Sequence, residues 1–168
     1  AVVLSLTACD PLDTVLTATP DTPVPDAALA QVVYVVDGDT ADIRLDSGKQ
    51  IRVRILGIDT PETVKPNTPV QCWAPEASDW AHSVLDGAWV TAVSDPVAGD
   101  VDRYGRALRY LMLGNGTNYS ELAAENGMAR SYIYNHHPLT YTVAVADAEQ
   151  HARTAGLGLW GAPCHGQI

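Results

Sequence analysis

A chain of 168 residues, 46% hydrophobic and 18% charged, is long enough to bury one sizeable core, so a single domain is expected. Its formal charge of -10, with eight Arg and two Lys as the fixed positive groups, excludes the global basic field that draws many proteins to nucleic acid. Phe is absent, and any core must come from Leu, Ile, Val, Tyr and Trp.

Residues 1–9, AVVLSLTAC, form an apolar run too short to span a bilayer as a helix, and they read as the residual end of a signal. Leu6, Thr7, Ala8 and Cys9 resemble the lipobox of bacterial lipoproteins, in which the Cys carries a diacylglyceryl group. This predicts lipid attachment at Cys9 and a place outside the cytoplasm, anchored to the cell membrane or secreted. The competing reading is an ordinary cleaved signal with a chance Cys. Residues 10–29 are rich in Pro, Asp and Thr without a sustained period of 2 or 3.6. Such a segment cannot bury enough apolar surface to offset its ordering entropy, so it is predicted to be a disordered tether. The domain is placed at residues 30–162, with a tail at 163–168.

Val32 to Val36 and Thr40 to Leu45 are predicted strands joined by a turn at Asp37, Gly38 and Asp39. After a turn at Asp46, Ser47 and Gly48, a third strand puts Ile51, Val53 and Ile55 on one face and Arg52 and Arg54 on the other. Asp59 and Glu62 follow in a loop opened by Pro61. A helix starts at Pro75, carries Ala77, Trp80, Ala81, Val84 and Leu85 at helical spacing, and stops at Gly87. Trp89 to Val93 and Arg106 to Leu113 read as further strands. Asn118, with Glu121 three residues on, predicts the cap of a short helix ending at Gly127. A last helix carries Tyr141, Val145, Ala148 and Ala152 before Gly156. Five strands with a helix after the third and helices at the end suit a small Greek-key barrel with about three helices, an α+β domain.

With Cys9 assigned to lipid, Cys72 and Cys164 remain as an even pair in a chain addressed outside the cytoplasm, and a disulfide between them is predicted. Closing a loop of about ninety residues contributes roughly 4 to 5 kcal/mol in the chain-entropy model. Two buried free thiols are the alternative.

Asp39, Arg54, Asp59, Glu62 and Arg106 form a set with chemical meaning. Carboxylate oxygens hold a hard divalent cation, a further carboxylate orients or deprotonates a water, and the Arg fork matches phosphate oxygens. Together they point to metal-assisted cleavage of nucleic acid. Each alone has a blander meaning: Asp37 to Asp39 a turn, Asp59 to Glu62 a capped turn, either Arg a surface ion-pair partner. Gly48 stands where an EF-hand wants Glu, which excludes that motif. Arg103, Arg106 and Arg109 fall close together and predict a locally basic site on an acidic surface. The adjacent His136 and His137 have poor spacing for one metal and read as loop residues.

At VVDGDTADIRL, RVRILGIDTPET, CWAPEAS, DRYGRALRY and ARSYIY the chain closely resembles the thermonuclease family, the staphylococcal-nuclease-like domains, in order from about Val32 to Trp160. The resemblance implies a five-stranded OB-fold barrel and a calcium-dependent phosphodiesterase acting on DNA and RNA, cutting on the 5' side and leaving 3'-phosphates. It implies Asp39 and Asp59 as calcium ligands with the Thr60 carbonyl, and Glu62 near the attacking water as base or electrostatic organiser. Arg54 and Arg106 then grip the phosphate, Tyr104 bonds a terminal phosphate beside Arg103, and Tyr132 lies against the base. Tyr134 either extends that platform or packs half-buried, since the two tyrosines alternate as a strand would. No obligate protein partner is implied, and a monomer is expected. The alternative function is an OB-fold module that binds nucleic acid or protein without cleaving, although three converging carboxylates suit it poorly and it would want more surface Lys and Arg.

Overall fold

The computed structural model describes residues 26–63 and 69–168, and of Tyr134 the backbone only; Cys9 and the predicted tether as far as residue 25 lie outside the described residues. The elements are β1 (Ala27–Asp37), β2 (Thr40–Leu45), β3 (Gln50–Ile55), β4 (Ile58–Asp59), α1 (Ala74–Leu85), β5 (Trp89–Val93), β6 (Ala107–Leu113), α2 (Tyr119–Glu125), β7 (Arg130–Ser131) and α3 (Thr142–Ala155). Five strands close a barrel in the order β1-β2-β3-β6-β5. The β3 to β6 pairing is parallel and the other barrel pairings are antiparallel. Alongside the barrel, β4 and β7 form a two-stranded antiparallel ribbon.

β1 begins at Ala27, earlier than its sequence pattern predicts, because Ala27 to Gln31 pairs with Val93 to Trp89 of a strand far along the chain. Local periodicity carries no sign of such a partner. Irregularities between Val32 and Tyr34 and between Val35 and Asp37 reset the alternation of β1, so Val32 and Val35 both face inward while Val33 and Tyr34 are exposed. The barrel interior is filled by β-branched and small residues such as Ala41, Ile43, Val53, Ile55 and Ala92, and α1 covers it with Ala81 and Leu85. Tyr119 of α2 and Val145 of α3 join the same core. Leu56, Leu108, Tyr110 and Leu139 form a second cluster.

The short helix is capped as predicted: the Asn118 side chain accepts from Ser120 N at 3.0 Å. Glu121 bonds the Asn118 side-chain amide at 3.2 Å, and not its backbone, since Asn118 forms an isolated bridge with Met112. Cys72 and Cys164 are joined in a disulfide with Cα atoms 5.7 Å apart. The last residues are therefore tied to the domain, and Arg130 donates to the carbonyl of Gly166. Trp160 packs under the guanidinium of Arg153 at 3.8 Å from its ring centroid. Among the described residues no helix is long and apolar enough to cross a membrane.

The β4–β7 ribbon is fixed to α3 through a buried carboxylate. Glu149 accepts from Ser131 N at 2.8 Å, from the Ser131 hydroxyl and from Arg153 Nε at 2.8 Å. Burial alone would raise its pKa, but these bonds from Ser131 and Arg153 outweigh burial and hold it below the ordinary 4.5. A carboxylate depressed by folding adds stability that is fully present above its unfolded value and disappears as pH falls through the folded one. Glu149→Gln should lower stability by about 1 to 3 kcal/mol at neutral pH. Urea midpoints for variant and parent should converge in strong acid, where both side chains are neutral.

Candidate active site

The turn between β1 and β2 presents Asp39, and the ladder between β2 and β3 sets Arg54 opposite Thr40. Asp39 is buried, with Thr40 Oγ1 donating to Oδ1 at 2.9 Å, Thr60 N donating to Oδ2 at 3.2 Å and Arg54 Nη2 at 3.1 Å from Oδ2. The same Nη2 stands 3.2 Å from Asp59 Oδ1, while Arg54 Nη1 donates to the carbonyls of Ile55 at 2.6 Å and Ile58 at 2.9 Å. Two carboxylates, one from the β1–β2 turn and one from β4, thus converge on one guanidinium nitrogen. Gly38 makes room for this approach, because a Cβ there would lie 2.6 Å from Thr60 Cγ2. The Tyr119 hydroxyl fastens the turn from below by donating to Gly38 O at 2.8 Å.

Negative charge is in excess at this point. Burial, and then the neighbouring Asp39, push Asp37 up from 3.8 to about 6. Desolvation against the cleft walls and Asp39 also raise Asp59, although over half of that side chain faces water and solvent screens the effect.

The opposite wall comes from the loop before β6. Asp102 accepts from Tyr104 N and Arg106 N, each at 2.9 Å, and from Arg106 Nε at 2.7 Å, so one carboxylate shapes the loop and aims the arginine. Burial opposes ionisation of Asp102, yet the bonds from Arg106 and Tyr104 hold its pKa below the ordinary value. Arg106 also reaches Thr40 Oγ1 at 3.4 Å, linking this wall to the Asp39 turn. Arg103 lies over the Tyr104 ring at 4.7 Å and donates to its hydroxyl at 2.6 Å.

Between the walls is a cleft of about 750 Å³. It gathers Asp39, Arg54, Asp59, Thr60, Glu62 and Arg106, with Arg103, Tyr104 and Tyr132 also lining it. Arg54 lies 6.0 Å from the Tyr132 ring centroid. Arg109 does not join the basic group predicted for this stretch. Its side chain is fully buried, paired with Asp100 and donating to Leu108 O at 2.8 Å, because strand alternation turns it away from Arg106. Tyr132 and Tyr134 do not alternate along a strand, since β7 ends at Ser131 and Tyr134 opens a 3-10 turn.

Sequence reasoning missed Asp37, Asp102 and Asn135 as cleft residues. Asp102 was detectable, as an Asp two residues before Tyr104 and three before Gly105 is a side-chain-closed turn in waiting. Asn135 has φ 52 and signals itself only through the tolerance of Asn for that conformation.

Among the described residues no group of three or more His, Cys, Asp or Glu could hold a metal ion unaided. Asp39 and Asp59, with the Thr60 backbone beside them, are nevertheless a set of hard oxygen donors in an over-acidic pocket, which fits a hard divalent cation that keeps several waters. Arg54 neutralises those carboxylates from the protein side.

A closed five-stranded barrel with helices, and one cleft in which paired carboxylates stand with two arginines, has the architecture of an OB-fold domain. Residues 52–162 match the family model described as "Staphylococcal nuclease homologue". The chain is 39% identical over 130 residues to a thermonuclease of Staphylococcus hyicus, covering 77% of this chain and 74% of that one. It is 40% identical over 129 residues to a thermonuclease of Staphylococcus intermedius, with the same coverage of 77% and 74%. Endonuclease YncB of Bacillus subtilis (strain 168) is 35% identical over 128 residues, covering 74% of this chain and 58% of that one. The chain belongs to the staphylococcal nuclease family.

Gly38→Ala tests the geometry without reference to activity. Since the added methyl must displace Thr60, stability measured by urea unfolding should fall by about 1 to 3 kcal/mol.

Proposed function

We propose that this domain is a calcium-dependent phosphodiesterase that hydrolyses DNA and RNA, cutting on the 5' side and leaving 3'-phosphates, as endonuclease, exonuclease or both. The observation that carries the reading is the convergence of Asp39 and Asp59 on Arg54 in one cleft with Arg106 and Glu62. The thermonuclease relatives and the endonuclease of Bacillus subtilis support the same class of reaction.

Asp39, Asp59 and the Thr60 carbonyl would hold calcium, which when bound supplies positive charge to a phosphate oxygen and to a water. Arg54 and Arg106 stabilise the charge that builds on the phosphoryl oxygens, and Asp102 keeps Arg106 aimed without drawing on solvent. Glu62 orients the water or takes its proton. Arg103 and Tyr104 receive a terminal phosphate, and Tyr132 offers a ring to a base, a contact that tolerates any sequence. Tyr134, two residues further on, would extend that platform.

The disulfide supports a place outside the cytoplasm, where thiols stay oxidised. Lipid on Cys9 and the tether after it would hold the domain near a membrane surface, and an unmodified Cys9 by mass spectrometry of intact protein would remove that anchor.

The purified protein should cleave single-stranded and duplex DNA and RNA with calcium and stop on chelation, as read on labelled strands. Binding without calcium-dependent cleavage would replace the hydrolase reading with a binding module. Glu62→Gln should keep calcium affinity and lose roughly 10²-fold or more in kcat. Because the surface is acidic overall, short or single-stranded substrates should be cut faster than long duplexes; equal rates across that series would contradict this.

A further inference from the structure

Glu62 belongs to no strand or helix, since β4 ends at Asp59 and α1 begins only at Ala74. A side chain that must act on one water needs a backbone held to a fraction of an ångström. Both backbone polar groups of Glu62 bond to a single residue further along the chain: Glu62 N donates to Gln71 Oε1 at 2.6 Å, and Glu62 O accepts from Gln71 N at 3.1 Å. Glu62 and Gln71 are therefore joined by two bonds, which form a neck in the chain.

The neck is anchored on its far side. Gln71 O accepts from Ala74 N at 3.1 Å, joining it to the start of α1. Cys72, the next residue, is bonded to Cys164, which is only 4% exposed. The tail around Cys164 is itself fixed, with Gly166 N donating to Leu159 O at 2.7 Å and Gly166 O accepting from Arg130. Trp73 adds a second attachment, its Nε1 lying 3.4 Å from Met128 Sδ.

We infer that Gln71 is a positioning residue for Glu62, and that the Cys72–Cys164 disulfide holds Gln71 where it can do this. The inference rests on the hydrolase reading for its consequence, but the clamp itself does not. Gln71 acts through the oxygen of its amide, because Glu62 N–H needs an acceptor. A carboxylate of the same length supplies that acceptor and a leucine does not. Loss of the clamp leaves the phosphate-gripping arginines in place and moves only the group that acts on water, so the cost falls on kcat and not on substrate binding.

The test compares the oxidised parent with Gln71→Leu, Gln71→Glu and the double variant Cys72→Ser with Cys164→Ser. Two readouts are taken, amide hydrogen exchange at Glu62 without calcium or substrate, and kcat and KM on a short single-stranded DNA with calcium. Gln71→Leu should speed exchange at Glu62 and lower kcat by roughly tenfold or more while KM changes by less than about twofold. Gln71→Glu should restore both readouts, and the double cysteine variant should move both in the direction of Gln71→Leu by a smaller amount, since Trp73 still holds the neck. Unchanged exchange at Glu62 in Gln71→Leu overturns the clamp. A rise in KM at constant kcat, or failure of Gln71→Glu to restore kcat, overturns the positioning role. A double cysteine variant identical to the parent in both readouts overturns the part given to the disulfide, and it also carries the test if Gln71→Leu does not fold. A parent that cleaves nothing removes the hydrolase reading, while exchange still decides whether the clamp exists.

Discussion

The bridge from Arg54 to both Asp39 and Asp59 is the contact around which the rest of the site is built. Carboxylates brought together in a partly buried turn repel one another, and each loses hydration that water would otherwise provide. One guanidinium, held by the carbonyls of Ile55 at the end of β3 and Ile58 in β4, offsets that repulsion. Burial, and then Asp39, hold Asp59 above its ordinary value against the pull of Arg54, so the compensation is partial. The remaining excess of negative charge is what makes the pocket hospitable to a hard cation.

That bridge needs its three residues delivered to one place, and the surrounding fold does so with independent supports. The barrel register sets Arg54 across from Thr40. Gly38 lets the Asp39 turn press against Thr60, with Tyr119 beneath it. Asp59 arrives on a ribbon of two residues per strand, too short to stand alone, which is held to α3 through Ser131 and Glu149. The tail, stapled by Cys164, backs the same ribbon through Arg130. An acidic protein thus keeps its useful positive charge in a few arginines whose partners are built into the fold, and Asp102 plays for Arg106 the part that backbone carbonyls play for Arg54.

Much of this was legible in the chain. Alternation located β2, β3 and β5, apolar residues at helical spacing located α1 and α3, and the Asn118 cap located α2. Asp39, Arg54, Asp59, Glu62 and Arg106 could be singled out because they share one chemistry and sit in motifs that resemble the thermonuclease family, and the cleft does gather them. The early start of β1, the β4–β7 ribbon and the burial of Arg109 could not be read, since each depends on a partner far away in sequence. Tyr132 and Tyr134 looked like a strand because spacing of two is a strand signal, but β7 ends at Ser131 and Tyr134 opens a 3-10 turn.

By itself the sequence set which side-chain types are available for chemistry, because carboxylate, guanidinium and phenol keep their character wherever they are placed, and the number and order of its strand and helix signals suited a small barrel. Only the tertiary structure decided which carboxylate faces which arginine. Asp39 and Asp59 meet at Arg54, Asp102 claims Arg106, and Asp100 draws Arg109 out of the site. The reason is physical: an ion pair in a partly buried cleft is set by distances of a few ångströms, and those distances follow from strand register and loop anchoring.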